Sequence, residues 1–174
     1  MNPAFGAFYQ NAYVTNDLEQ ALEVFRTVYG VPSFLVLDAD YGVRYRGQPG
    51  QMKLRLALSN LNGVQIEVIE AGEGCIDLYR EGLPQDGFGL AHHHVAMKVA
   101  GTLEDWRRWR AEMAAGDRGF VLEGDLGESA QFAYLDDKRR LGHYTEYLWS
   151  LDGGAGMDAA IPRCMTGPGP NRST

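Results

Sequence analysis

Short alternating runs of apolar residues, interrupted twice by segments of helical spacing, set the elements of this chain. Phe8 to Val14 is aromatic and apolar and ends at Thr15-Asn16-Asp17, the pattern of a strand. Asp17 stands as an N-cap with Gln20 three residues on. Leu18, Ala21, Leu22, Phe25 and Val28 then recur at helical intervals, so an amphipathic helix runs to about Tyr29. Gly30 stops it and Pro32 blocks any continuation. Phe34 to Leu37 predicts a short strand, and Asp38 to Gln51 a loop. Met52, Leu54, Leu56 and Leu58 alternate with Lys53, Arg55 and Ala57, the period of a half-buried strand. Asn62-Gly63 is a hairpin turn signal, and Val64 to Ile69 is the strand after it. The order is β-α-β-β-β.

Glu70 to Gly89 is rich in Gly and polar residues and reads as a connector, after which the pattern restarts. His92 to Val99 predicts a strand. Thr102 caps a helix carrying Leu103, Trp106, Trp109 and Met113 on one side, with Gly116 and Gly119 at its end. Phe120 to Leu122, Gln131 to Tyr134 and Gly142 to Trp149 supply three further strands. The chain therefore holds two copies of one unit, about residues 8–70 and 92–149, in a single domain spanning 1–150. Gly and Pro dominate 151–174, which reads as a tail expected to be mobile from Thr166. Within it, Ala159-Ala160-Ile161-Pro162 is expected to pack back onto the body.

Composition narrows the function classes. With 174 residues, 45% hydrophobic and 22% charged, the chain can bury a core of its own. A formal charge of −7 argues against a nucleic-acid partner. Arg107, Arg108 and Arg110 alternate with Glu104, Asp105 and Glu112, the pattern of a solvated helix face. No apolar run reaches the ~20 residues needed to cross a bilayer, and Met1 to Phe5 carries no positive leader. Two cysteines, Cys75 and Cys164, indicate no disulfide scaffold, so the expected setting is reducing and cytoplasmic.

Candidate chemistry comes from polar groups on otherwise apolar strands. Strict alternation puts Gln10 on a face with Ala12 and Val14, Glu67 with Gln65 and Ile69, and Glu146 with Tyr144 and Leu148. The same rule puts His92 and His94 together and His93 on the other side, and turns His143 away. A carboxylate facing an apolar interior is costly unless paired or bound to a cation. Glu67 and Glu146 with an imidazole and an amide oxygen would suit one divalent metal. Oxygen-rich donors with one nitrogen and no thiolate do not distinguish Zn, Ni, Co, Fe, Mn or Mg. Spacing alone leaves plainer readings open: Glu67 as a solvent-facing residue, Gln10 at a sheet edge, the His run as a surface cluster.

Four segments in order carry a resemblance: Gln10-Asn11-Ala12-Tyr13-Val14-Thr15-Asn16-Asp17-Leu18; Gly63-Val64-Gln65-Ile66-Glu67; Gly89-Leu90-Ala91-His92-His93-His94-Val95-Ala96; and Leu141-Gly142-His143-Tyr144-Thr145-Glu146-Tyr147. Over residues 8–149 the chain resembles the vicinal oxygen chelate superfamily, which includes glyoxalase/bleomycin-resistance proteins, methylmalonyl-CoA epimerase and extradiol dioxygenases. The likeness is greatest to the glyoxalase I-like branch. It implies an α+β fold of two tandem βαβββ modules, forming a curved mixed sheet around a metal-centred cleft.

The implied ligands are Gln10, Glu67, His94 and Glu146, with His94 matched because it precedes Val95-Ala96. This set resembles one glyoxalase I class. The epimerase pattern, with His first and Gln second, differs at Gln10 and Glu67. The implied activity is isomerase, epimerase or lyase chemistry on a small oxo or thioester-type substrate, through a metal-stabilised enediolate. Glu146 is the first choice as proton carrier and Glu67 the alternate, while substrate-binding residues are not identified. An extradiol dioxygenase fits less well, because Gln10 stands where a histidine ligand belongs. An antibiotic-sequestering binder of the same fold is the alternative, with Tyr9, Tyr13, Tyr41, Tyr45, Trp106, Trp109 and Trp149 as candidate cleft residues. Trp106 and Trp109 are better explained as packing. Relatives often dimerise, so a homodimer is expected.

Overall fold

The computed structural model describes residues 6–115, 119–127 and 129–165. The first module comprises β1 (Ala7–Thr15), α1 (Leu18–Val28), β2 (Leu35–Tyr45), β3 (Gln48–Leu61) and β4 (Val64–Gly74). A connector containing the short α2 (Asp77–Arg80) leads to the second: β5 (Leu90–Lys98), α3 (Leu103–Ala114), β6 (Phe120–Asp125), β7 (Ala130–Asp136), α4 (Lys138–Leu141) and β8 (Tyr144–Ser150). The chain then adds α5 (Ala155–Ala160) and β9 (Arg163–Cys164). No helix among the described residues is long and apolar enough to cross a membrane.

Each module orders its strands alike: β1-β4-β3-β2 and β5-β8-β7-β6. The first and last strands of each run parallel, β1 with β4 and β5 with β8. Antiparallel pairing of β1 with β5 joins the modules at one seam, and β2 with β6 joins them at the other. The expected curved sheet is therefore a closed ring of eight strands. Closure is partial at the second seam: β2 meets β6 only over Val43–Tyr45, and the short β9 adds to β3 at Asn60–Leu61.

Alternation divides the side chains into three cores. Met52, Leu54 and Leu56 point into the ring with Val14, Ile69, Leu122, Phe132 and Tyr134. Outside it, α1 lays Leu18, Ala21, Leu22 and Phe25 over Ala57, Ile66 and Val68. In the second module α3 lays Trp106 and Trp109 over Ala133, Leu135, Tyr147 and Trp149. The tryptophans are thus packing residues, and truncating either to alanine would cost ~3–5 kcal/mol. Both helices start where their caps predict: the Asp17 carboxylate accepts from Gln20 N, and Thr102 with Asp105 forms a capping box.

Two expectations change. The loop drawn from Asp38 to Gln51 is the closed end of a long hairpin, because Arg46 (φ 49°) and Gly47 (φ 80°) make a two-residue turn between β2 and β3. Asn62 (φ 53°) and Gly63 (φ 90°) make the equivalent, anticipated turn after β3. The connector begins later than expected, since β4 runs on to Gly74, and it holds the buried Leu78 and Tyr79. In the charged run Asp136 to Arg140, Asp137 is buried and accepts a hydrogen bond from Thr145 Oγ1 at 2.9 Å. Ile161 does pack back: it is buried, and Asn60 N donates to Pro162 O at 2.8 Å. Gly116 and the segment from Thr166 lie outside the described residues.

Candidate metal centre

Residues opposite one another on neighbouring strands point to the same face, so register alone assembles the centre. One row across the sheet runs Glu146–Ala96–Gln10–Gln65. The adjacent row runs Tyr144–His94–Ala12–Glu67. All of these face into the ring. Glu146 and Gln10 flank Ala96, while His94 and Glu67 flank Ala12. Strands lie ~4.8 Å apart, so flanking side chains start roughly 10 Å apart and lean together over a methyl group. Ala12 and Ala96 are fully buried and form the floor.

The donors converge. One ligand atom each from Glu67, His94 and Glu146 lies within 4.8 Å of the others. His94 Nε2 is 2.9 Å from Glu146 Oε2 and 3.5 Å from Glu67 Oε2. Gln10 lines the same cavity as both glutamates. Its Nε2 donates to Gln65 Oε1 at 2.5 Å, which leaves its Oε1 buried without a partner. A buried amide oxygen without a donor costs ~1–3 kcal/mol unless something satisfies it. All four candidate ligands come from one chain, two per module.

The electrostatics point the same way. Burial, and then the charge of Glu146, push the Glu67 carboxyl up to about 8. Burial also holds the Tyr79 and Tyr134 phenols well above their ordinary value. The cavity, about 130 Å³, is walled by Leu37, Leu56, Phe132 and Leu148, with Tyr9, Tyr41, Tyr79 and Tyr134 as its phenols. Among the described residues, no lysine or arginine lines it. Two carboxylates facing each other around one imidazole, with no lysine or arginine among the described lining residues, are what a divalent cation would stabilise. The donor set therefore fits such an ion.

Strict alternation fails at the histidine run. On β5, His94 lies opposite Ala12 and His92 opposite Tyr13, so one step on β1 spans two on β5. His93 is the extra residue of a bulge. His92 therefore does not share the face of His94. It packs outside the ring, its ring 5.6 Å from Tyr13 and 5.5 Å from His143. His93, expected on the opposite side, is buried and stacks on Tyr79 at 4.9 Å. Its Nδ1 lies 2.8 Å from His94 Nδ1, and its Nε2 lies 3.0 Å from Leu78 O. Tyr79 reaches the cavity from the connector, a segment whose Gly-rich pattern gave no such signal. Of the aromatic residues proposed for a cleft, Tyr9 and Tyr41 line it. Tyr13 packs outside on Phe25, and Trp149 lies in the α3 core.

A larger cavity, about 570 Å³, adjoins the donor cavity at Leu54 and includes none of the four donors. Its walls carry Asp38, Asp40, Lys53, Arg55 and Glu70. Several of these charges are engaged: Lys53 pairs with Glu73, Arg55 with Glu19 and Glu70, and Gln51 donates to Asp40. It reads as a solvated cleft.

The sequence matches no family model and no curated protein. Solved structures do match. A variant of Streptomyces coelicolor methylmalonyl-CoA epimerase, in complex with 2-nitronate-propionyl-CoA, is 19% identical over 84% of this chain and 99% of its own, with a TM-score of 0.52. A methylmalonyl-CoA epimerase in complex with methylmalonyl-CoA and NH4+ is 18% identical over 84% and 96%, at 0.53. The epimerase from Mycobacterium tuberculosis is 16% identical over 90% and 95%, at 0.52. Identity this low speaks to fold, and it agrees with the paired modules traced above. The chain has the fold of the vicinal oxygen chelate superfamily.

Proposed function

We propose that the protein is a metal-dependent enzyme that moves a proton at a carbon next to a carbonyl, with Gln10, Glu67, His94 and Glu146 as ligands to one divalent ion. The observation that carries this reading is the convergence of two buried carboxylates and an unpartnered amide oxygen around His94 Nε2, in a cavity lined by no lysine or arginine among the described residues. A divalent cation bound there supplies electrostatic stabilisation of negative charge on the substrate oxygen. The chain's own residues do the rest. Glu146 takes the proton from carbon and returns it, with Glu67 as the alternate carrier. Both carboxylates line the cavity. Its largely apolar wall lowers the local polarity, which strengthens the charge interactions inside.

The substrate class is a small oxo compound or thioester. A cavity of about 130 Å³ beside the donors suits a small reacting moiety. The similar epimerases bind CoA thioesters, which makes methylmalonyl-CoA one substrate to assay. Gln10 and Glu67 depart from the epimerase ligand pattern and favour glyoxalase-like chemistry, so a hemithioacetal is the other. The test combines elemental analysis of the purified protein with deuterium exchange at the substrate carbon in heavy water. Stoichiometric divalent metal and exchange that a chelator abolishes are expected. Protein that binds no divalent cation, yet retains an apolar ligand, would identify a sequestering binder instead.

A further inference from the structure

We infer that His93 is a positioning residue: through its contact with His94 it fixes which nitrogen of the His94 ring carries hydrogen, and so aims the Nε2 lone pair at the metal position. The inference rests on the proposed metal centre and adds a residue that strict strand alternation had turned away from it.

Hydrogen-bonding roles are constrained from Leu78 O through His93 to His94. Leu78 O is a backbone carbonyl and can only accept, so His93 Nε2, 3.0 Å away, carries the hydrogen. In a neutral imidazole the other nitrogen is then an acceptor, which leaves His93 Nδ1 with its lone pair. That lone pair faces His94 Nδ1 at 2.8 Å, so His94 Nδ1 carries a hydrogen and donates it. His94 Nε2 is left for the inner side, where Glu67 and Glu146 stand at 3.5 and 2.9 Å. The polarity runs one way from a backbone carbonyl, across two rings, to the donor atom. When a cation binds, only Nε2 must be free of hydrogen, and the ring need neither turn over nor exchange tautomers.

The surroundings hold this arrangement in place. His93 is buried, stacked on Tyr79 at 4.9 Å with Tyr144 at the same distance. Its two nitrogens are taken by Leu78 O and His94 Nδ1. The β5 bulge makes the contact possible, because in an unbroken strand neighbouring residues face opposite sides. Groups that orient a ligating histidine through its second nitrogen are typically worth about 10- to 100-fold in metal affinity.

The test uses the full chain and two variants. His93→Gln can accept from His94 Nδ1 through its Oε1 and donate to Leu78 O through its Nε2. His93→Phe keeps the stacking on Tyr79 but offers no acceptor. Nitrogen-15 NMR of the metal-free wild-type protein should show His94 with Nδ1 bearing hydrogen, a readout independent of activity and of any metal. Zinc titration should show affinity about 10- to 100-fold weaker in His93→Phe and largely restored in His93→Gln. An unprotonated His94 Nδ1 in the wild type overturns the inference, even if both variants fail to fold. Equal zinc affinity in His93→Phe and wild type also overturns it, as does equal loss in both variants, which would mean packing alone. If wild-type protein binds no zinc or other divalent cation, the metal-centre reading fails, while the NMR measurement still decides the tautomer.

Discussion

The two modules build the same half-site in different ways. Each offers a nitrogen or oxygen donor from its first strand, Gln10 on β1 and His94 on β5, and a glutamate from its last, Glu67 on β4 and Glu146 on β8. Parallel pairing within each module sets its two donors diagonally, on adjacent strands in neighbouring rows, and the antiparallel seam of β1 with β5 brings the halves together. What differs is the support. Gln10 is oriented from within its own module by Gln65, the residue opposite it on β4. His94 is oriented by its chain neighbour His93, through a bulge, and beyond that by the connector at Leu78. A duplicated backbone can therefore keep its donors in equivalent places while each module solves the orientation problem locally.

That comparison can be broken most sharply at His94. His94→Ala removes the nitrogen donor, leaves two carboxylates facing each other, and should reduce divalent metal to below stoichiometric detection by elemental analysis, with activity lost alongside. Retained metal in this variant would remove the shared centre altogether.

The alanine floor gives the next largest effect. Ala12 lies between His94 and Glu67, and Ala96 between Glu146 and Gln10, each fully buried. Ala12→Leu fills the space over which the first pair must lean, and should abolish tight metal binding at a folding cost of ~1–3 kcal/mol. Ala96→Leu should do the same to the second pair. Calorimetric metal titration and thermal melting separate the two effects. A large loss at one alanine only would show that the pairs contribute unequally.

A smaller, pH-dependent effect follows from Glu67. Its carboxyl is pushed from 4.5 up to about 8 in the folded chain by burial and by Glu146. The folded state therefore holds a proton that the unfolded state releases. Without metal, stability from this group is complete below pH ~4.5 and is lost as pH rises toward about 8. The melting temperature of chelator-treated protein should fall across that window. Divalent cation should reverse the trend, because the metal favours the ionised carboxylate. Glu67→Gln should flatten the metal-free slope; an unchanged slope would assign it to other groups.

The smallest expected change lies at Gln65. Gln65→Leu removes the acceptor that orients the Gln10 amide and should weaken metal binding by a few fold, less than His93→Phe, because the Gln10 oxygen can still reach the ion after rotation. A larger loss from Gln65 than from His93 would invert the comparison between the modules.

Much of this molecule was legible along the chain because its signals are local. Alternation of Met52, Leu54, Leu56 and Leu58 marked the inner face of β3, Asn62-Gly63 the turn after it, and Asp17 and Thr102 the starts of the two long helices. Each depends on residues a few positions apart, so the amino-acid order suffices. The repetition of β-α-β-β-β was readable for the same reason. Resemblance, and not spacing, singled out Gln10, Glu67, His94 and Glu146 from other polar residues on those strands.

Tertiary structure decided what depends on pairing between distant segments. Closure into a ring required β2 to meet both β3 and β6, contacts that no local pattern encodes. The Arg46-Gly47 turn went unread because arginine at a positive φ is a poor local signal, sustained here by the long hairpin on either side. The reversal of His92 and His93 came from a mismatch of one residue between β5 and its partner. A bulge is a property of two strands together, so three consecutive histidines in sequence carry no mark of which one will turn inward.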